Sequence, residues 1–173
     1  STGDIIGLLH SDDQLVNYII PDIIEIFYKF PEVVAVYGNL EYKNSDFSKV
    51  IRRWKSKDYS SQLLKLGWMP PHPTIFIRRE IFTKIGFYND DFKISGDYDF
   101  ILRFFKNYGE KTYYLDKNFY QMRVGGISNS KNIKMLILKL KEDYEAIKIN
   151  QIGGLKTLLY KSITKIPQFF SIR

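Results

Sequence analysis

An apolar run, Ile5 to Leu9, empties without a linker into His10, Ser11 and two adjacent carboxylates, Asp12 and Asp13. Such a run, bounded by polar residues on both sides, reads as a strand buried on both faces, the kind a parallel sheet supplies. Val16, Ile19, Ile20, Ile23, Ile24 and Phe27 then recur at helical spacing until Pro31, and "VVAVYGNLEY" follows as a second strand. Strand, helix and strand in about 40 residues is the rhythm of an α/β fold. Two like charges side by side repel unless a cation, a basic group or water separates them, so the end of the first strand asks for something positive.

Farther on, "PPHPTIFIRREIF" reads as a stiff turn, a short strand at Thr74 to Ile77 and a helix from about Arg79. In "DYDFILRFFKN" the residues Phe100, Ile101, Phe104 and Phe105 share one helical face, with Asp97 and Asp99 in the first turn. "KTYYLD" and "FYQMRV" read as two further strands. Ile133, Leu136, Ile137, Leu140, Tyr144 and Ile147 keep helical spacing among lysines, and a second basic amphipathic segment, with a late Phe169-Phe170 pair, follows Gly153-Gly154.

The bulk numbers narrow the class. With 173 residues, 45% of them hydrophobic, the chain holds one domain with a core and a tail, drawn at residues 1–130 and 131–173. The absence of cysteine excludes disulfides and thiolate metal sites and is compatible with a reducing compartment. No apolar stretch reaches the roughly 18 residues of a membrane span. The net charge of +7 sits in the tail, where nine basic side chains face three acidic ones, against 17 and 16 in residues 1–130. A nucleic-acid module needs basic and aromatic residues interleaved on the body, so no nucleic-acid partner is expected.

Four stretches can carry chemistry. Asp12 and Asp13 lie beyond a strand's carboxyl end, where open α/β sheets bind ligands, and carboxylates there suit Mg²⁺ or Mn²⁺. The plain alternative is an N-cap for the next helix. Asp97 or Asp99 is placed to act as a general base, or simply to favour the helix dipole. "GWMPPHPT" presents Trp68 and His72 on a stiff loop, a plausible acceptor platform. Arg123 beside Gly125-Gly126 has the chemistry to hold a diphosphate.

In this order, "TGDIIGLLHSDD", "VYGNLEY", "MPPHPTIFIRREIFTKIGFYNDDFKISGDYDFILRF" and "MRVGGIS" resemble the C-terminal two-thirds of a glycosyltransferase family 2 domain, in its bacterial surface-polysaccharide type. The resemblance implies a GT-A-like, Rossmann-like mixed sheet with flanking helices, followed by basic amphipathic helices. It implies an inverting, metal-dependent transfer from a nucleotide-sugar to a saccharide or lipid-linked acceptor. Asp97 matches the catalytic base, although Gly96 stands where many relatives have glutamate. Asp12, Asp13 and His10 match the metal motif, with His10 where relatives have Asp or Asn. Trp68, His72, Asp99 and Arg123 then serve substrate binding, and Mn²⁺ or Mg²⁺ is the expected cofactor.

Because about ten residues precede the metal motif, the family's first nucleotide-binding strands are expected to be missing, leaving a truncated chain that binds donor poorly. The rival readings are a non-catalytic remnant or binding module of the same fold, and a metal-dependent nucleotidyl or phosphoryl transferase. The expected location is the cytoplasm. For the first tail helix, attachment to an anionic membrane surface on the inner face of the membrane and packing on the body stand as equal alternatives, and the segment from Gly153 on is the better membrane candidate.

Overall fold

The computed structural model describes residues 1–124 and 133–163. Its centre is β3 (Ala35–Lys43), whose alternate residues feed two cores: Ala35 and Tyr37 point to one side, Val36 and Leu40 to the other. This period of two is what a strand buried on both faces requires. β3 pairs in parallel with β6 (Thr112–Arg123) and antiparallel with β4 (Val50–Trp54) and β5 (Phe76–Arg78). Two-residue strands complete the sheet among the described residues, β1 (Ile5–Ile6) against β5 and β2 (Gln14–Leu15) against β6, in the order β1-β5-β3-β6-β2.

The first strand departs from the expectation of a buried parallel strand. β1 is an edge strand, antiparallel to β5, and only Ile5 and Ile6 pair, with Arg78 and Ile77. The chain leaves the sheet at Gly7, where a Cβ would enter the Phe76 ring at 2.4 Å, and Leu9 is exposed. "KTYYLD" and "FYQMRV" are likewise one strand: β6 runs through the exposed Asp116 and Lys117, with register shifts opposite Asn39.

Helix α1 (Ile19–Lys29) covers one face through Ile19, Ile23, Ile26 and Phe27. Pro21 sits in its first turn, where a missing N–H costs least. The other face is covered by α2 (Ser61–Lys65), α3 (Arg79–Ile85) and α4 (Gly96–Tyr108). The face expected for α4 is the one buried, with Phe100, Ile101, Phe104 and Phe105 at 1% exposure or less.

The tail helices α5 (Ile133–Ile149) and α6 (Leu155–Ile163) pack on this second layer, α5 against α4 and α6 against α5. The expected apolar face of α5 is only partly used. Ile147 is buried, but Ile133, Leu136, Ile137 and Leu140 are exposed, and the buried polar residues are Glu142 and Asp143. Both carboxylates are bonded to the segment that leads into α4. Gly125-Gly126 and Phe169-Phe170 lie outside the described residues. Among the described residues no helix is long and apolar enough to cross a membrane.

Candidate active site

The turn after β1 is tied back to β6. The His10 amide donates to the Tyr120 hydroxyl at 2.9 Å, and the Arg123 amide donates to Asp13 Oδ1 at 3.0 Å. His10 Nδ1 lies 3.3 Å from Asp13 Oδ2, whose side chain is only 3% exposed. Burial first, then the charges of Asp13 and Asp12, push the Tyr120 phenol up to about 12. Asp13 therefore spends both oxygens on fixing the turn, while Asp12 is exposed.

A divalent cation, the cofactor expected from the sequence resemblance, has limited protein ligands here. With His10 Nδ1 turned to Asp13, the outward ligand atoms are the Asp12 carboxylate and His10 Nε2. Among the described residues no group of three His, Asp or Glu side chains is placed to hold a metal ion. The arrangement fits a cation that takes one or two protein ligands and completes its shell from substrate phosphates and water.

A second cluster is built around His72. Pro71 and Pro73 flank His72 in a single turn of 3-10 helix, His72–Thr74, locked by the Thr74 hydroxyl donating to Pro71 and Gly38 carbonyls. This turn aims the imidazole at the N-terminus of α4. His72 Nδ1 is 4.0 Å from Asp97 Oδ2, and His72 Nε2 is 2.8 Å from the Tyr88 hydroxyl. Asp97 is nearly half exposed, and its Oδ1 accepts from the Tyr98 amide at 2.7 Å.

Burial holds the His72 pKa below the usual histidine value, against the upward pull of Asp97, and the charge of His10 adds to the lowering. Burial, with the Asp97 charge second, raises the Tyr88 phenol to about 12. His72 and Tyr88 also line an apolar cavity of about 400 Å³, with Ile6, Leu8, Phe82 and Phe100.

Of the expected substrate residues, Asp99 and Trp68 are turned toward the core, and Arg123 keeps its amide at the acidic turn while its guanidinium is directed away. Asp99, two residues on from Asp97, is turned inward at 2% exposure. Its Oδ2 accepts from Arg103 Nε at 2.9 Å and its Oδ1 from Asn150 Nδ2 at 2.7 Å, which leaves it no role at an open site. Trp68 packs on Tyr37, Tyr59 and Phe105 in the core. Arg123 is exposed and stacks its guanidinium over Phe47, with centroid distance 5.1 Å. Tyr88 and Tyr120 were not foreseen, because a lone tyrosine in a loop or strand carries no spacing signal.

The mixed sheet and its flanking helices define a GT-A-like architecture. Among solved structures, S. aureus TarS 1–349 matches with a TM-score of 0.52 at 13% identity, over 87% of this chain and 40% of that one. A second S. aureus TarS structure matches with a TM-score of 0.51 at 10% identity, over 98% of this chain and 39% of that one. The chain thus spans about 40% of the length of the solved chains it resembles. No protein-family model and no curated protein matches the sequence.

Proposed function

We propose that this chain carries the acceptor side of an inverting glycosyltransferase that moves a sugar from a nucleotide-diphosphate sugar to a hydroxyl of a saccharide or lipid-linked acceptor. The assignment to polysaccharide or glycolipid assembly at the cell envelope, in the cytoplasm or on the inner membrane surface, belongs to the same proposal. Its fold neighbours are glycosyltransferases, which supports the class but not the substrate. The observation that carries the reading is the His72–Asp97 pair, an accessible carboxylate held at a helix N-terminus beside an uncharged imidazole.

In this reading Asp97 accepts the proton of the acceptor hydroxyl as that oxygen bonds to the anomeric carbon and the bond to the diphosphate breaks. His72 and Tyr88 form the wall that orients the acceptor and keeps water out on the cavity side. Asp12 and His10 would hold a divalent cation, Mn²⁺ or Mg²⁺, which when bound supplies positive charge for the leaving diphosphate. Asp13 keeps that turn in shape, and the Arg123 amide helps it do so.

The test is by NMR, because weak binding suffices to read it. A nucleotide-sugar panel with Mg²⁺ at millimolar concentration should shift the His10 and His72 ring signals, and Asp12→Ala should remove the metal-dependent part. Rings that stay unmoved by every donor and by acceptor saccharides would sink the proposal.

A further inference from the structure

The tail holds two carboxylates that a solvated basic helix has no use for. Glu142 is 6% and Asp143 3% exposed. Glu142 accepts three consecutive backbone amides, from Lys93 at 3.1 Å, Ile94 at 2.8 Å and Ser95 at 2.9 Å. These amides belong to the segment entering α4, so one side chain from about 50 residues away gathers donors that would otherwise be buried and unpaired.

Ser95 occupies the N-cap position of α4, yet its side chain makes no capping bond to its own helix. Its hydroxyl instead donates to Asp143 Oδ1 at 2.7 Å. Asp143 is in turn neutralised by Lys161 of α6, 2.8 Å from Oδ2, and by Lys139, 3.4 Å from Oδ1. Two turns beyond, Asn150, just past the C-terminal end of α5, donates to Asp99 of α4 at 2.7 Å. The links therefore grip α4 at residues 93–95 and again at 99, on both sides of Asp97. Asp97 itself accepts from the Tyr98 amide and faces His72.

We propose that Glu142 and Asp143 are positioning residues, a brace from the C-terminal helices that sets the first turn of α4 and so holds the Asp97 carboxylate against His72. The proposal rests on the reading of Asp97 as the base. Helix α5 in this view is part of the active-site frame, and α6 contributes through Lys161. A helix that only shielded the core would not place its acids on the three amides that lead into the candidate base.

The His72 imidazole reports the position of Asp97 directly, because it senses that charge. In the 173-residue chain, Asp97→Asn should lower the His72 titration midpoint read by NMR. Glu142→Gln and the milder Ser95→Ala, which removes only the hydroxyl tether, should each move the midpoint toward the Asp97→Asn value. On an Asp97→Asn background neither should move it further. A lowered melting temperature with an unchanged His72 midpoint in both variants assigns the two acids a stabilising role alone and overturns the brace, as does a midpoint that ignores Asp97→Asn. Should Asp97→Asn leave sugar transfer intact while the midpoints shift as expected, the catalytic reading fails and the brace stands.

Discussion

His72 Nδ1 stands 4.0 Å from Asp97 Oδ2, and the opposite ring nitrogen is held 2.8 Å from the Tyr88 hydroxyl. Two influences oppose each other on this ring. Burial favours the neutral form, the Asp97 charge favours the cation, and burial dominates. The imidazole is accordingly neutral at pH 7. Asp97→Asn removes the only named pull toward protonation, so the His72 midpoint should fall. A two-histidine chain makes the assignment simple, and a midpoint that rises contradicts the arrangement.

Tyr88 fixes which nitrogen carries the proton. Its phenol, raised to about 12, stays protonated and can donate to Nε2, which leaves the N–H on Nδ1, facing Asp97. Tyr88→Phe should convert this tautomer to a mixture, seen in the ¹⁵N shifts of the ring. The thermal midpoint should change little, since the bond is at the surface and contributes about 1 kcal/mol.

The acidic turn divides its labour between neighbours. Asp13 is buried and holds the Arg123 amide, whereas Asp12 is exposed. Asp13→Ala should cost about 0.5–1.5 kcal/mol, the net contribution of a hydrogen bond whose donor water can reach once it is freed. That corresponds to a melting-temperature loss of roughly 2–4 °C per kcal/mol for a chain of this size. Asp12→Ala should leave the melting temperature unchanged and instead abolish paramagnetic broadening of the His10 signals by Mn²⁺. Equal thermal losses in the two variants would show that the geometry is misread.

How legible this was depended on whether a residue obeys local periodicity. The faces of β3 and α4 were readable because their burial follows periods of two and 3.6. β4 was missed because "VIRRW" interleaves arginines with apolar residues, yet Arg52 stacks on Tyr42 and Arg53 pairs with Glu41 across the hairpin. β6 read as two strands because Asp116 and Lys117 interrupt it, although they are merely the exposed stretch of one strand. The inward turn of Asp99 was half legible, because Arg103 stands at i,i+4 on the same helix, whereas Asn150 comes from a distant segment that no spacing rule links to it. Glu142 was unreadable for the same reason: a charged residue on an amphipathic helix ordinarily faces water.

The same two acids make stability depend on pH. Burial alone would raise the Glu142 and Asp143 pKa values, but the amides of residues 93–95 and the Lys161 and Lys139 charges outweigh it, so both lie below their ordinary values of 4.5 and 3.8. A depressed carboxylate stabilises the fold fully above its unfolded pKa and loses that contribution as pH falls through the folded one. Urea unfolding should therefore be flat for these groups above about pH 5 and weaken progressively below it. Glu142→Gln should reduce that slope, and a parallel profile at lower stability would argue against the assignment.

Gly67 decides whether α6 can dock. Its φ is 75°, and an added Cβ would lie 2.6 Å from the Thr157 carbonyl and 2.9 Å from the Lys161 amide, backbone atoms that cannot swing aside. The strain of a left-handed alanine costs about 1–2 kcal/mol. Overpacking against α6 adds about 1–3 kcal/mol more. Gly86 provides the control: its φ is 81°, but its Cβ would meet only the flexible Arg103 side chain, at 3.5 Å. Gly86→Ala should lose stability through backbone strain, its ψ of 170° being nearly confined to glycine, whereas only Gly67→Ala should expose α6 to limited proteolysis. Because Lys161 neutralises Asp143, loosening α6 should also shift the His72 midpoint. Gly86→Ala should leave α6 protected, and equal proteolysis of α6 in the two variants would show that α6 does not dock through Gly67.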